Sequence, residues 1–271
     1  MTNAIRLIES EYEQKRRNIQ LITNGTFCDK QLAEKEIKYN KDGSVKKTHC
    51  NKMTGQSSEV YAFRTKEEIN AMINVLNKHI ESALNNNQRQ ITARNKMLFL
   101  VGINLGIRAS DLHDLQWSFF YDIANGKLVF KNFYVLQPKK QRNHNKFVKI
   151  FFNQTIKKAI EEYTEKYPIK NINDYLFPSR KGNQPVESSH LWRIVKEIAI
   201  EAGIKQNIGS HSLRKTFGYW RWHEAEDKTE ALVMLQQTFN HSDTSTTMKY
   251  IGITDDKIEN LYMAVELGLD I

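Results

Sequence analysis

The chain has 271 residues, 40% of them hydrophobic and 10% aromatic, which excludes a disordered polymer and leaves room for one large globular domain or two modest ones. A net charge of +9 and a pI near 9.3 suit a protein that meets polyanions. No apolar run reaches the ~20 residues that span a bilayer, and the leading MTNAIRLIESEYEQKRR has no secretory core, so a cytoplasmic protein is expected.

The first sixty residues differ from the rest. Residues 2–20 have a loose apolar face of Ile5, Leu7, Ile8, Tyr12 and Ile19, and a short second helix fits 29–39. Polar, turn-rich stretches follow each, so residues 1–61 read as a short helical arm or linker with little core of its own. Cys28 and Cys50 lie here. Their spacing with His49 matches no usual four-ligand zinc pattern, and free thiols are the plain expectation.

From Thr65 the pattern changes. Thr65-Lys-Glu-Glu68 has the form of a capping box, and Ile69, Met72, Ile73, Leu76 and Ile80 recur at helical spacing behind it. A second helix over about 90–105 is apolar enough to be central and ends at Gly106; a short one follows over about 110–117. Residues 127–151 carry strand chemistry in three runs, 128–130, 133–136 and 147–151. The last two flank a basic turn. Helices are then expected over 153–167, 189–202, 211–224, 228–239, 244–250 and 255–267, with no internal repeat. The body, residues 62–271, is therefore mainly α with a small three-stranded antiparallel sheet.

Four segments hold residues able to do chemistry. In Gly106-Ile-Arg108-Ala-Ser-Asp111, an arginine follows a glycine break, where its rigid fork of donors can meet a phosphate. The hairpin turn gathers Lys139, Lys140, Arg142 and Lys146. Around it, nine Lys or Arg and no acidic residue fall between Asp122 and Glu161, a concentration suited to phosphate contacts. His211-Ser-Leu-Arg214 places an imidazole and a guanidinium three residues apart. In the last segment, Tyr250 follows His241 by nine positions across a polar turn. A lone tyrosine after a short helix is ordinarily a packing residue, and each segment alone is weak.

In the order Arg, Lys, His-x-x-Arg, His, Tyr, the set resembles the tyrosine recombinase/phage integrase family over about residues 62–262. Its first arginine motif, Gly-Leu/Ile-Arg-x-Ser-Glu-Leu, stands here as Gly106-Ile-Arg-Ala-Ser-Asp-Leu112. The box His-x-Leu-Arg-x-Thr-Phe is His211-Ser-Leu-Arg-Lys-Thr-Phe217. The last, Leu-Gly-His-Ser-x-x-x-Thr-Thr-x-x-Tyr, is Phe239-Asn-His-Ser-Asp-Thr-Ser-Thr-Thr-Met-Lys-Tyr250. Asp for Glu and Phe-Asn for Leu-Gly depart from the pattern without removing a reacting group. Residues 176–182 and the helix around Trp192 also look like the family's middle region, and the C-terminal half resembles the compact integrase-like proteins of Gram-positive bacteria and their mobile elements.

The resemblance implies site-specific DNA cleavage and rejoining without metal or cofactor, through a 3′-phosphotyrosyl bond to Tyr250. Arg108 and Arg214 would clamp the phosphate and His241 would donate a further hydrogen bond. His211 would accept the tyrosine proton, and a hairpin lysine would protonate the leaving oxygen: Lys139 by alignment, with Lys140 and then Lys146 as alternatives. Lys140, Arg142 and Lys146 would otherwise contact DNA. The expected partners are double-stranded recombination sites and three further copies of the chain, exchanging the 255–267 helix. Two rivals remain: a type IB topoisomerase, disfavoured by the first histidine of the set, and a non-catalytic DNA-binding protein derived from an integrase.

Overall fold

The computed structural model describes residues 60–139, 147–179, 184–209 and 211–253, together with Ala264. The expected helices at 2–20, 29–39 and 255–267, the candidate cysteine cluster, and Lys140, Arg142 and Lys146 all lie outside these residues.

Helix α1 (Lys66–Glu81) opens on the expected capping box: Thr65 accepts from the Glu68 amide and Glu68 reaches back to the Thr65 amide. Each bond satisfies an amide that has no partner within the helix. Helix α2 (Asn86–Leu105), started by an Asn85 cap, is the central rod and packs against α1 and against α4 (Gln154–Lys166) and α6 (Ser212–His223). Met97, Leu98, Phe99, Val101 and Leu105 are buried along it, so apolar residues fall on more than one face, as a helix enclosed by neighbours requires.

Gly106 ends α2 in the left-handed conformation, φ +65°. A Cβ there would also lie 2.4 Å from the Phe217 ring, so both backbone and packing require glycine. The chain then makes the short α3 (Ala109–His113) and a 3₁₀ turn (Trp117–Phe119), two pieces where one helix over 110–117 was expected.

The expected three-stranded sheet is instead two antiparallel ribbons. Strand β1 (Tyr121–Ala124) pairs with β2 (Lys127–Phe130), and β3 (Phe133–Leu136) with β4 (Val148–Phe151). The first strand was not anticipated, although Asn125-Gly126, both left-handed at φ 51° and 74°, is a strong two-residue hairpin signal. The ribbons stay separate because the link between them bonds elsewhere. Lys131 N donates to Phe120 O and Asn132 O accepts from Phe152 N. Phe119, Phe120, Phe130, Tyr134 and Phe152 pack beneath the ribbons with ring centroids 4.1–6.2 Å apart.

Helices α5 (Ser188–Glu201), α6, α7 (Lys228–Phe239) and α8 (Thr244–Ile251) complete the body. Two cores result. The larger surrounds α2, and the smaller, built of Leu232, Leu235, Phe239, Ile251 and Ile253, lies under α8. Helix α6 runs between them, with Leu213 in the first and Phe217 against the second. Residues 60–64 lie as an extended strap on this helix. Phe63 N donates to Thr216 Oγ1 (2.9 Å), Trp220 Nε1 donates to Phe63 O (2.8 Å), and Tyr61 N donates to Asn207 O (2.8 Å).

Candidate active site

Three chain breaks bring the predicted groups together. Gly106 turns the chain so that Arg108 becomes the N-cap of α3, half-buried, with Nη2 3.5 Å from Phe239 O. His211 is the N-cap of α6 rather than a residue within it, and Arg214 falls in that helix's first turn. Asn240, left-handed at φ 52°, ends α7 and lets His241 fold back onto Phe239. Asp243 then caps α8, accepting from Thr246 N, and Tyr250 lies in the last turn of that helix.

Phe239 is the centre of the arrangement. Its carbonyl accepts from both Arg214 Nη2 (3.2 Å) and Arg108 Nη2, and its ring lies under the Arg214 guanidinium at 4.3 Å. Arg214 Nη1 donates to Gly106 O at 2.6 Å, so a side chain only 6% exposed is held by two neutral carbonyls. Burial lowers its pKa to about 10, and Arg108 adds to the effect while Tyr250 opposes it.

Tyr250 lies beside this pair. His211 Nδ1 is 3.0 Å from its hydroxyl, and the rings of Phe239 and His241 meet its edge or face at 5.4 and 5.1 Å. Burial pushes the Tyr250 pKa up to about 12, against the pull of Arg214 and Arg108, so the hydroxyl keeps its proton at neutral pH unless a base removes it. His241 is pushed the other way. Burial and then the Arg214 and Arg108 charges hold it below the ordinary imidazole value, outweighing Asp243. It is therefore neutral at pH 7, with Nδ1 3.1 Å from Thr247 Oγ1.

Five of the six predicted catalytic residues thus gather around one phenylalanine. The sixth, Lys139, lines a separate recess with Asp111, Asp114 and Gln137, and only Asp111 and Leu136 are shared with the recess that Arg108 and Arg214 line. Its backbone amide donates to buried Asp111 Oδ1 (3.0 Å), and its ammonium pairs with Asp114. Burial raises the Asp114 carboxyl, but hydrogen bonds from Lys139 and His113 outweigh this and hold it below the usual carboxylate range. Sequence reasoning missed these roles of Asp111 and Asp114, and also Thr247 behind His241 and buried Lys215, whose ammonium lies 5.5 Å above the Tyr250 ring. Asp111 and Thr247 carried a signal, their places in the first arginine motif and in the Thr-Thr of the last one.

Two guanidiniums and a neutral imidazole around a protonated tyrosine form a receptor for a phosphate with a nucleophile at its rim. The model of the "Phage integrase family" matches residues 63–257. The chain is 36% identical over 169 residues to the probable integrase/recombinase YoeC of Bacillus subtilis, covering 62% of this chain and 83% of that protein. It is 26% identical over 251 residues to tyrosine recombinase XerH of Campylobacter jejuni, covering 92% of this chain but only 64% of the relative. In fold it is similar to the crystal structure of XerA recombinase, with a TM-score of 0.52 at 19% identity over 78% of this chain and 66% of that one. It is also similar to XerH bound to palindromic difH substrate in a post-cleavage complex, with a TM-score of 0.53 at 18% identity over 83% and 58% of the two chains. The chain belongs to the tyrosine recombinase/phage integrase family.

Proposed function

We propose that this chain cuts and rejoins double-stranded DNA at specific sites through a 3′-phosphotyrosyl intermediate on Tyr250, serving a mobile element. The observation that carries the reading is the 3.0 Å contact between His211 Nδ1 and the Tyr250 hydroxyl, beside two arginines on one carbonyl.

A tyrosine held near pKa 12 is a poor nucleophile, so proton removal must accompany attack. His211 is within reach to take that proton as the Tyr250 oxygen bonds to phosphorus. Charge then builds on the two non-bridging oxygens of the five-coordinate phosphorus. Arg108 and Arg214 neutralise it, and His241 donates a hydrogen bond through the ring nitrogen not turned to Thr247. The bond to the 5′ oxygen breaks, and that oxygen takes a proton from Lys139, which must leave Asp114 to give it. The reverse attack by a 5′ hydroxyl, from the same or another strand, releases Tyr250. No external energy is required, because the phosphotyrosyl bond replaces a phosphodiester of similar energy.

In this reading residues 62–271 form the catalytic domain and residues 1–61 an arm. Lys140, Arg142 and Lys146 on the hairpin contact the DNA backbone. Four copies assemble on two sites by exchanging the 255–267 helix. No cofactor is required.

The test is covalent capture. Nicked suicide duplexes tiled across the DNA flanking the gene are incubated with the wild type and with Tyr250→Phe. The expected result is a denaturation-resistant adduct from the wild type alone, with DNA binding retained by the variant. DNA binding with no adduct across the tiled set would overturn the reading in favour of a binding protein.

A further inference from the structure

We propose that Arg64 is a positioning residue for the nucleophile, fixing the helix that carries Tyr250 to the helix that carries His211 and Arg214; this rests on the recombinase reading above. Helix α8 has only eight residues, Thr244–Ile251, too few to hold a helix in water unaided. Its N-terminal end is held by Asp243, an exposed residue that bonds only within the same turn. Its C-terminal end is held from outside. Gly252 ends the helix at φ +76°, and its carbonyl accepts from Arg64 Nη2 at 2.7 Å. The carbonyls at a helix C-terminus carry partial negative charge, so a guanidinium is the favoured partner there.

The root of Arg64 is fixed as firmly as its tip. The preceding residue, Phe63, is fully buried, and its amide and carbonyl bond to Thr216 and Trp220, both on α6. The Arg64 amide donates to Glu68 Oε2 at 2.8 Å, and the guanidinium lies 5.4 Å from each of the Tyr61 and Tyr219 rings. A planar fork suits this slot better than an ammonium on a flexible stem. The fit leaves no slack on the other side, because a Cβ on Gly252 would come within 2.3 Å of Arg64 Nη2. One side chain therefore runs from the α6 surface to the end of α8, two residues beyond Tyr250. The separation it sets is the one across which His211 meets the Tyr250 hydroxyl.

The fold does not depend on this contact. Ile251 and Ile253 are fully buried in the smaller core, and α6 comes close to Ile251 and Phe239 at Gly218. Loss of Arg64 should loosen α8 without undocking it.

The experiment compares the wild type, Arg64→Ala and Arg64→Lys in three measurements: single-turnover adduct formation on a saturating suicide duplex, equilibrium binding of the same duplex, and amide hydrogen exchange of residues 244–251 without DNA. Misplacement by about 1 Å costs on the order of a hundredfold in rate, so Arg64→Ala is expected to form adduct roughly tenfold to a hundredfold more slowly. Its DNA affinity and melting temperature should stay near wild type and its α8 amides should exchange faster, with Arg64→Lys recovering part of both losses. An unchanged adduct rate, or a rate that falls only in step with affinity and melting temperature, overturns the proposal. If the wild type makes no adduct but Arg64→Ala still quickens α8 exchange, the recombinase reading fails while the anchoring stands.

Discussion

Arg214 is costly to keep. Its pKa near 10 records that burial disfavours the charged form, and its partners are two carbonyls and the neutral Tyr250 hydroxyl. Arg214→Met removes the cost of burying the charge but leaves the Gly106 carbonyl without its Arg214 donor, so the variant is expected to melt close to the wild-type temperature. Losing one preorganised donor costs about 10²–10³ in rate, and the same variant should lose at least that in adduct formation. Calorimetry and the suicide duplex check the two halves. His241 gives a pH signature. Its folded pKa is depressed, so the stability it contributes is complete above the ordinary imidazole value and is lost as pH falls through the folded one. Urea unfolding at pH 7.5 and pH 5 should therefore show wild type losing stability relative to His241→Gln at the lower pH. At this scale the sequence was readable where chemistry constrains residue type, in the two arginines, the two histidines and the tyrosine. The Phe239 carbonyl and the Asp114–Lys139 pair were not readable, because a backbone oxygen has no letter and a pairing depends on the fold. Asn240 was a departure in letter only. The position requires φ near +50°, and asparagine is among the few non-glycine residues that accept it.

Among the elements, helix placement followed from periodicity and caps, and α7 falls where its pattern put it, at Lys228–Phe239. The ribbons were harder to read because they are largely exposed. Ile123, Leu128, Val129, Phe133, Val135 and Phe151 all face solvent, so the alternation that normally marks a half-buried strand is weak. Two glycines test how much of this architecture rests on conformation and how much on packing. Gly126, at φ +74° with open space around it, should cost about 1 kcal/mol as Gly126→Ala, the strain of the left-handed region alone. Gly106 has a similar φ but is pressed against Phe217, so Gly106→Ala adds overpacking of about 1–3 kcal/mol to that strain. Denaturant midpoints of the two variants separate the contributions. A smaller loss at Gly106 than at Gly126 would show that Phe217 can move, and that the turn into Arg108 is softer than it looks.

For the molecule as a whole, charge was the first signal and has a direct consequence. With a net +9, DNA affinity should fall steeply with salt, by about 0.9 log unit per log unit of salt for each phosphate engaged. Replacing Lys140, Arg142 and Lys146 together by alanine should reduce that slope by about 2.7 if each meets one phosphate. A salt titration of both proteins on one duplex decides it, and an unchanged slope would remove the hairpin from the DNA interface. Family membership was legible because six residues in fixed order are specific where each alone is not.

The carbonyl of Phe239 also bears on the resting state. Two cations share one neutral oxygen, and Arg108 depresses the pKa of Arg214, so the fold without DNA holds a like-charge repulsion in place. In the proposed reaction, a phosphate entering the site would relieve that repulsion and would be a ligand of the folded state as well as a substrate. An anion at a hundred times its dissociation constant would stabilise the chain by about 2.7 kcal/mol through mass action alone. Under the proposed mechanism, a lesser anion that occupies the site is expected to make the protein firmer and slower at once.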